Sequence, residues 1–249
     1  MNDFRIDYED IPYDALAEFG LTQEMIDDLP EQILYALTNG QRTPVLPILR
    51  MGKDGKKYKD KARVRLVQTD NSIGVMLLPC YDECSLDGFS ASEKDALQGG
   101  KVIKANVVNK GQCYVQLDSA TNRLLFAPVD IIDLNIHVMA ERLNISKDVV
   151  ENIKDGALIT SIKQENEVTY GIDLHSETGI RVVDGNKEQW QEKAKSDGLE
   201  RYSFGLYGCW MTDSDGIMSY VPEKNYTPDM IALEAQKVEK VKQSRGFGI

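Results

Sequence analysis

Polar and apolar positions follow one another along the chain in short blocks, each closed by a glycine or a polar turn, and the blocks recur in one order. In residues 89–128, Ser90 and Glu93 stand at capping-box spacing before a helical stretch, and Gly99 and Gly100 end it where a left-handed residue is wanted. Segments 102–108 and 113–117 then read as strands, and the polar run 118–122 turns the chain into a third strand at 124–126. The unit is a helix followed by a three-stranded meander. Residues 146–184 repeat it: Ser146 opens a helix that Gly156 stops, and 158–159 and 170–174 supply strands. Leu117 and the turn after it align with Leu174 and the turn 175–179, at an offset of 56 residues before the middle hairpin and 57 after it.

Two further segments fit the same plan more loosely. Residues 30–39 form a helix stopped by Gly40, followed by apolar runs at 45–46, 64–67 and 75–78 with a turn at 69–72. Residues 187–197 form a helix stopped by Gly198, with a strand region at 202–211, a turn at 212–216 and a last strand at 217–221. Short helices are expected at 13–19 and 23–28, the second capped by Thr22, and an amphipathic helix follows the Thr227-Pro228 start signal, with a loose end at 246–249. The expected fold class is therefore α+β: tandem small units of one helix plus an antiparallel β-meander, between a helical N-terminus and a C-terminal helix. The organisation reads as a helical segment 1–29, a first unit 30–88, a second 89–132, a third 133–185, a fourth and aromatic-rich unit 186–225, and the helix and tail 226–249. Each unit is small, so neighbours should pack together. If the repeat is real, Gly100 and Gly156 share a positive φ at equivalent helix ends, Leu117 and Leu174 fill equivalent places, and the turns at 119–122 and 176–179 superpose.

Composition narrows the class. The 249 residues are 42% hydrophobic and 28% charged, enough for a packed core. Lys and Arg number 29 against 40 Asp and Glu, a net charge of −11, which argues against a whole-surface footprint for nucleic acid or anionic lipid and leaves a local patch as the alternative. No apolar run approaches the roughly 20 residues of a membrane span. The acidic start is unlike a secretory signal, so a cytoplasmic location and no membrane partner are expected. The four cysteines, Cys80, Cys84, Cys113 and Cys209, are too few and too unevenly spaced for a disulfide scaffold and read as thiols.

One local patch stands out. Between residues 50 and 65, Arg50, Lys53, Lys56, Lys57, Lys59, Lys61, Arg63 and Arg65 face only Asp54 and Asp60, a sum of +6 that leaves −17 for the rest of the chain. Such a segment suits nucleic acid or a phosphorylated ligand, with Tyr58 available to stack, and it equally suits a solvated hairpin loop or the acidic stretch 3–31. The stretch 136–156 has helix-turn-helix spacing, but its second helix sums to −1, which favours ordinary packing over DNA reading. Tyr202, Tyr207, Trp210 and Tyr220, with Phe204, make the fourth unit either a partner-binding face or a small aromatic core. Cys80 and Cys84 lack the further ligands a zinc site needs, and the Asp213 to Gly216 turn lacks the closing glutamate of a calcium loop, so no metal or cofactor is expected. His175 beside Ser176 is no nucleophile pair, because neighbours on a strand point to opposite faces. No catalytic residues are assigned.

Residues 11–30, with Asn39-Gly40 and Thr43-Pro44-Val45-Leu46-Pro47, resemble the N-terminal module of an uncharacterised domain family carried on conjugative and other mobile elements of gut anaerobes. Residues 89–128 resemble a second such family, and together the two cover about residues 4–130. The resemblance implies a mobile-element setting and brings no catalytic residues. The leading expectation is a non-catalytic protein-interaction module, an adaptor or regulator, rather than an enzyme. The alternatives are a nucleic-acid-binding accessory protein that uses the basic segment, and an acidic decoy that imitates nucleic acid.

Overall fold

The computed structural model describes residues 5–70, 72–163, 165–196 and 199–245. Gly198, the tail 246–249 and Asn71 of the first hairpin turn, all given roles above, lie outside the described residues. Three short helices, α1 (Tyr13–Glu18), α2 (Gln23–Asp27) and α3 (Glu31–Thr38), precede strands β1 (Val45–Met51), β2 (Lys57–Gln68) and β3 (Ile73–Pro79). Next come α4 (Ala91–Gln98) with β4 (Ile103–Val107), β5 (Gly111–Asp118) and β6 (Arg123–Pro128). A long helix α5 (Val129–Leu143) leads to α6 (Lys147–Lys154), β7 (Ile159–Lys163), β8 (Asn166–Ile172) and β9 (Ile180–Asp184). Helix α7 (Lys187–Ser196), strands β10 (Tyr202–Phe204), β11 (Gly208–Thr212) and β12 (Met218–Pro222), and helix α8 (Pro228–Arg245) complete the order. The twelve strands form four separate three-stranded sheets, each with its middle strand in the centre. The pairs described are antiparallel, so the α+β class of helices and meanders holds. Among the described residues no helix is long and apolar enough to cross a membrane.

The helix stops share one mechanism. Helices α3, α4 and α6 are eight residues each, and two residues after each stands a glycine of positive φ: Gly40 at 65°, Gly100 at 74° and Gly156 at 84°. The residue after each glycine donates its N–H back five positions: Gln41 to the Ala36 carbonyl (2.8 Å), Lys101 to Ala96 (2.9 Å) and Ala157 to Asn152 (3.0 Å). The carbonyls that a helix leaves unpaired at its end are thereby satisfied, and only glycine takes the required conformation without a Cβ penalty. Three residues before each glycine, Leu37, Leu97 and Ile153 are wholly buried. At the other end, Ser90 and Glu93 make the expected reciprocal cap of α4, and Thr22 and Thr227 cap α2 and α8.

The second and third units share one order of elements and a comparable register, with one correction to the alignment. The register pairs Ile103 with Val115 and Val115 with Phe126 in one sheet, and Ile159 with Tyr170 and Tyr170 with Val182 in the other. Val115 therefore corresponds to Tyr170, Leu117 to Ile172 and Asp118 to Asp173. Leu117 does not correspond to Leu174, and the turn 119–122 does not superpose on 176–179. The first connection shortens from 108–110 to 164–165, which shifts the middle strand back by one. The second hairpin then restores the register with a turn one residue longer. The similar residues of the two turns thus align Leu117 with a leucine two positions past its structural match. Asp118 and Asp173 are both buried and both brace their turns by accepting a main-chain N–H two residues on, from Ala120 (3.2 Å) and His175 (3.1 Å). Asn122 and Gly179 take positive φ, as their turns require.

The chain divides into two compact units, one of 1–77, 200–213 and 217–249, the other of 78–199 with 214–216. In the second, the β4–β6 sheet buries both faces. Cys113 and Val115 pack with Leu97 of α4, while Tyr114 and Leu125 join a larger core with Ile132, Ile136 and Ala140 of α5, Val150 and Ile153 of α6, and Tyr170 and Ile172 of β8. The stretch 130–135, which carries no hinge residues, is the first half of α5. The helix-turn-helix spacing at 136–156 corresponds to α5, a left-handed Asn144 and α6, with the inner faces of both helices spent on this core. Between the sheets, Gln116 accepts the Leu174 N–H (2.6 Å) and donates to Asp173, which also pairs with Arg181. Helix α7 packs on β8 and β9 through Trp190, whose indole donates to the Arg181 carbonyl (3.0 Å).

Gly100 and Gly156 share a conformation but not surroundings. A Cβ at Gly100 would meet nothing within 4 Å, whereas one at Gly156 would lie 2.5 Å from the Val102 carbonyl oxygen. Gly100→Ala should therefore cost about 1 kcal/mol from backbone conformation alone. Gly156→Ala should cost about 2 kcal/mol or more, because the opposing atom belongs to the main chain and cannot swing away. Urea unfolding of the two variants beside the parent chain measures the difference.

Candidate interaction surfaces

The basic segment is the ordered tip of the β1–β2 hairpin. Met51 pairs with Lys57, Leu49 with Lys59 and Pro47 with Lys61. Side chains alternate along a strand, so Lys57, Lys59 and Lys61 stand on one face with these uncharged partners, and Arg50, Tyr58 and Asp60 on the other. Arg50 is neutralised by Asp60 at 3.0 Å, and Tyr58 donates its hydroxyl to Asp54 at 2.6 Å. That bond holds the Asp54 carboxyl below the usual carboxylate range. Both acids of the segment are thus engaged away from the lysine face. Arg63 is buried and donates to the Thr43 carbonyl at 3.2 Å, and Arg65 donates to the Gly40 carbonyl, so these two anchor the hairpin base. Lys53 and Lys56 sit in the five-residue turn, closed by Gly52 N–H donating to the Lys56 carbonyl at 2.8 Å. All five lysines are exposed.

The β3 strand is seven residues long and follows a turn in which the Thr69 N–H donates to the Ser72 carbonyl. It therefore reaches back along β2 only to the level of Ala62. Residues 57–61 pair with β1 alone and form a two-stranded ribbon.

The aromatic residues of the fourth meander separate into four environments. Trp210 is fully buried, lies 5.2 Å from the Tyr220 ring and donates its indole N–H to the Met25 carbonyl of α2 at 2.8 Å. It belongs to the interior and is removed from any contact face. Tyr220 donates to the buried Asp28 at 2.6 Å, and the same carboxylate accepts the main-chain N–H groups of Leu206 (2.6 Å) and Tyr207 (3.0 Å). A Cβ at Gly205 would fall 2.2 Å from that carboxylate oxygen, so the hairpin can wrap Asp28 only with glycine there. Tyr202 stacks on Phe204, with Lys237 donating to the Tyr202 carbonyl at 2.7 Å. Tyr207, beside a Leu206 that is 77% exposed, remains at the surface.

A surface that pattern reading missed lies on α5. Its inner stripe of Ile132, Ile136 and Ala140 fills the core, yet Ile131, Leu134 and Val138 form a second stripe that is 51%, 60% and 42% exposed. Beside it opens a groove of about 330 Å³ lined by Val138, Met139, Leu143, Ile180 and Val182, with Arg142 among its polar residues. The signal was present: α5 has more apolar positions than one buried face uses, at i, i+3 and i+7 as well as i and i+4. The start of α5 carries no side-chain cap that would mark it in the sequence, since its N-cap is Pro128.

The reactive groups are held in packing. Burial raises the Cys84 thiol, and it pushes Cys209 up to about 11. Burial also raises the Tyr114 hydroxyl, which donates to Asp133 at 2.7 Å and to the Lys154 carbonyl. Among the described residues no three His, Cys, Asp or Glu side chains gather as a metal-ion cluster.

A family model described as a protein of unknown function (DUF4099) matches residues 6–88, the segment that holds α1–α3 and the β1–β3 sheet. This agrees with the likeness of the N-terminal segment to an uncharacterised domain family. No curated protein matches the chain.

Removing Asp28 leaves two main-chain N–H groups and a tyrosine hydroxyl without their acceptor. Asp28→Ala should cost about 3 kcal/mol or more, and Tyr220→Phe about 1–2 kcal/mol. Burial and the bond to Asp28 raise the Tyr220 hydroxyl above its ordinary value of 10. The unfolded chain ionises there first, so the stability tied to the neutral hydroxyl is intact below about pH 10 and is lost above it. Urea midpoints between pH 8 and 11 should fall at the alkaline end, less steeply for Tyr220→Phe than for the parent.

Proposed function

We propose that the protein is a non-catalytic interaction module of a mobile genetic element and that it binds a protein partner through the α5 surface. The observation that carries this reading is the continuity of the exposed stripe Ile131, Leu134 and Val138 with the apolar groove beside it. Contiguous apolar surface of this kind marks a place where another surface docks, and a groove supplies the pocket that an anchoring side chain needs. The non-catalytic part of the reading is supported by where the shifted groups lie. Tyr114 and Tyr220 are tied to Asp133 and Asp28 by structural hydrogen bonds, and neither tyrosine lines the groove. The mobile-element setting is supported by the resemblance of the N-terminal segment.

The test compares the full chain with Leu134→Asp/Val138→Asp as bait in lysate from a host carrying such an element. Both substitutions are at exposed positions and should alter stability by about 0.5 kcal/mol or less each, which thermal unfolding checks. The parent should retain a protein at near one-to-one ratio and the double variant should lose it. Equal retention by both, or retention by neither while both remain folded, would reject the α5 surface as the binding site.

A further inference from the structure

We propose that the lysine face of the β1–β2 ribbon binds the phosphate backbone of duplex DNA. This goes beyond the α5 surface and rests on different residues. Lys57, Lys59 and Lys61 alternate on one strand, which spaces them about 7 Å apart in a straight row. Their cross-strand neighbours Met51, Leu49 and Pro47 carry no charge. Among the described residues none of the five lysines has an ion-pair partner. The corner after α1 reaches the same face, where a Cβ at Gly20 would lie 2.7 Å from the Leu49 side chain, yet among the described residues neither Asp14 nor Glu18 of that helix pairs with a lysine. In a protein of net charge −11 this is a concentrated positive element, and such an element orients a polyanion toward itself while the remaining surface repels it.

The geometry selects duplex over single strand. A two-stranded ribbon fits the roughly 12 Å width of the DNA major groove. Single strands are held by aromatic platforms on which bases stack. The ribbon's one aromatic, Tyr58, lies on the opposite face and is tied to Asp54. Base reading is not built in either. Arg50, the residue suited to guanine, is engaged by Asp60, and lysines on phosphates position a protein without reading sequence. Binding is accordingly non-specific.

Fluorescence anisotropy of a labelled 25-base-pair duplex titrated with the full chain tests this. If three to five phosphates are neutralised, affinity should fall roughly 40- to 500-fold between 50 and 200 mM salt. Scrambling the duplex sequence should change it by less than about threefold. Lys57→Gln/Lys59→Gln/Lys61→Gln should weaken binding at least about tenfold at 50 mM salt. Lys101→Gln/Lys147→Gln/Lys187→Gln, which makes the same change in net charge at exposed positions outside the ribbon, should leave it nearly unchanged. Circular dichroism establishes that both variants are folded. No binding at low salt, equal loss in the two triple variants, or tighter binding of the single strand than of the duplex would each overturn the proposal.

Discussion

A three-stranded sheet with an eight-residue helix buries too little apolar surface to be stable alone, and this constraint governs how the chain is arranged. Each meander must borrow a second cover. In the unit centred on residues 78–199, the β4–β6 and β7–β9 sheets borrow from each other through α5 and α6, so that Tyr114 of one sheet and Tyr170 of the next lie in one core. In the other unit the β10–β12 sheet is covered by segments far away in sequence. Trp210 reaches α2 through the Met25 carbonyl, and Val45 of β1 bridges to Ile217 just before β12.

Such borrowing needs devices that hold one partner in register with another, and the structure uses buried carboxylates for it. Asp28 gathers the β10–β11 hairpin by accepting two of its main-chain N–H groups. Asp173 holds Arg181 and Gln116, and Gln116 in turn accepts from Leu174. A carboxylate accepts several donors at once, and charged hydrogen bonds are the stronger ones. The cost of burying it is offset only when the donors are all in place, so these contacts define one arrangement more than they add stability. Part of the acidic surplus of the chain is therefore structural. The ribbon lysines, by contrast, have no ion-pair partner among the described residues.

The α5 surface and the lysine ribbon belong to different compact units and differ in chemistry. The α5 stripe is apolar and sits on the helix that also closes the shared core. The ribbon is cationic and lies toward the tip of the β1–β2 hairpin. The exposed stripe Ile131, Leu134 and Val138 and the ribbon lysines lie outside the buried cores, whereas the groove shares Ile180 and Met139 with the core of its unit.

Much of the architecture was legible because it rests on local rules. A glycine two residues past a helix, a Ser-x-x-Glu cap and β-branched runs between polar turns act over fewer than ten residues, so helices, meanders and the repeat of 89–128 in 146–184 follow from the sequence by itself. So does the basic character of 50–65. What depended on register did not follow. The true match of Leu117 is Ile172, because one connection is shorter and the next turn longer, and pattern matching slides across such compensating changes. Which partners face the lysines required the β1–β2 pairing, and only the folded chain shows Arg63 buried and Arg50 and Arg65 engaged by Asp60 and the Gly40 carbonyl. Tertiary structure alone decided that Trp210 is interior and that α5 carries a second, exposed apolar stripe. Burial is a property of what packs against a residue, and in this chain those neighbours lie up to about 190 positions away.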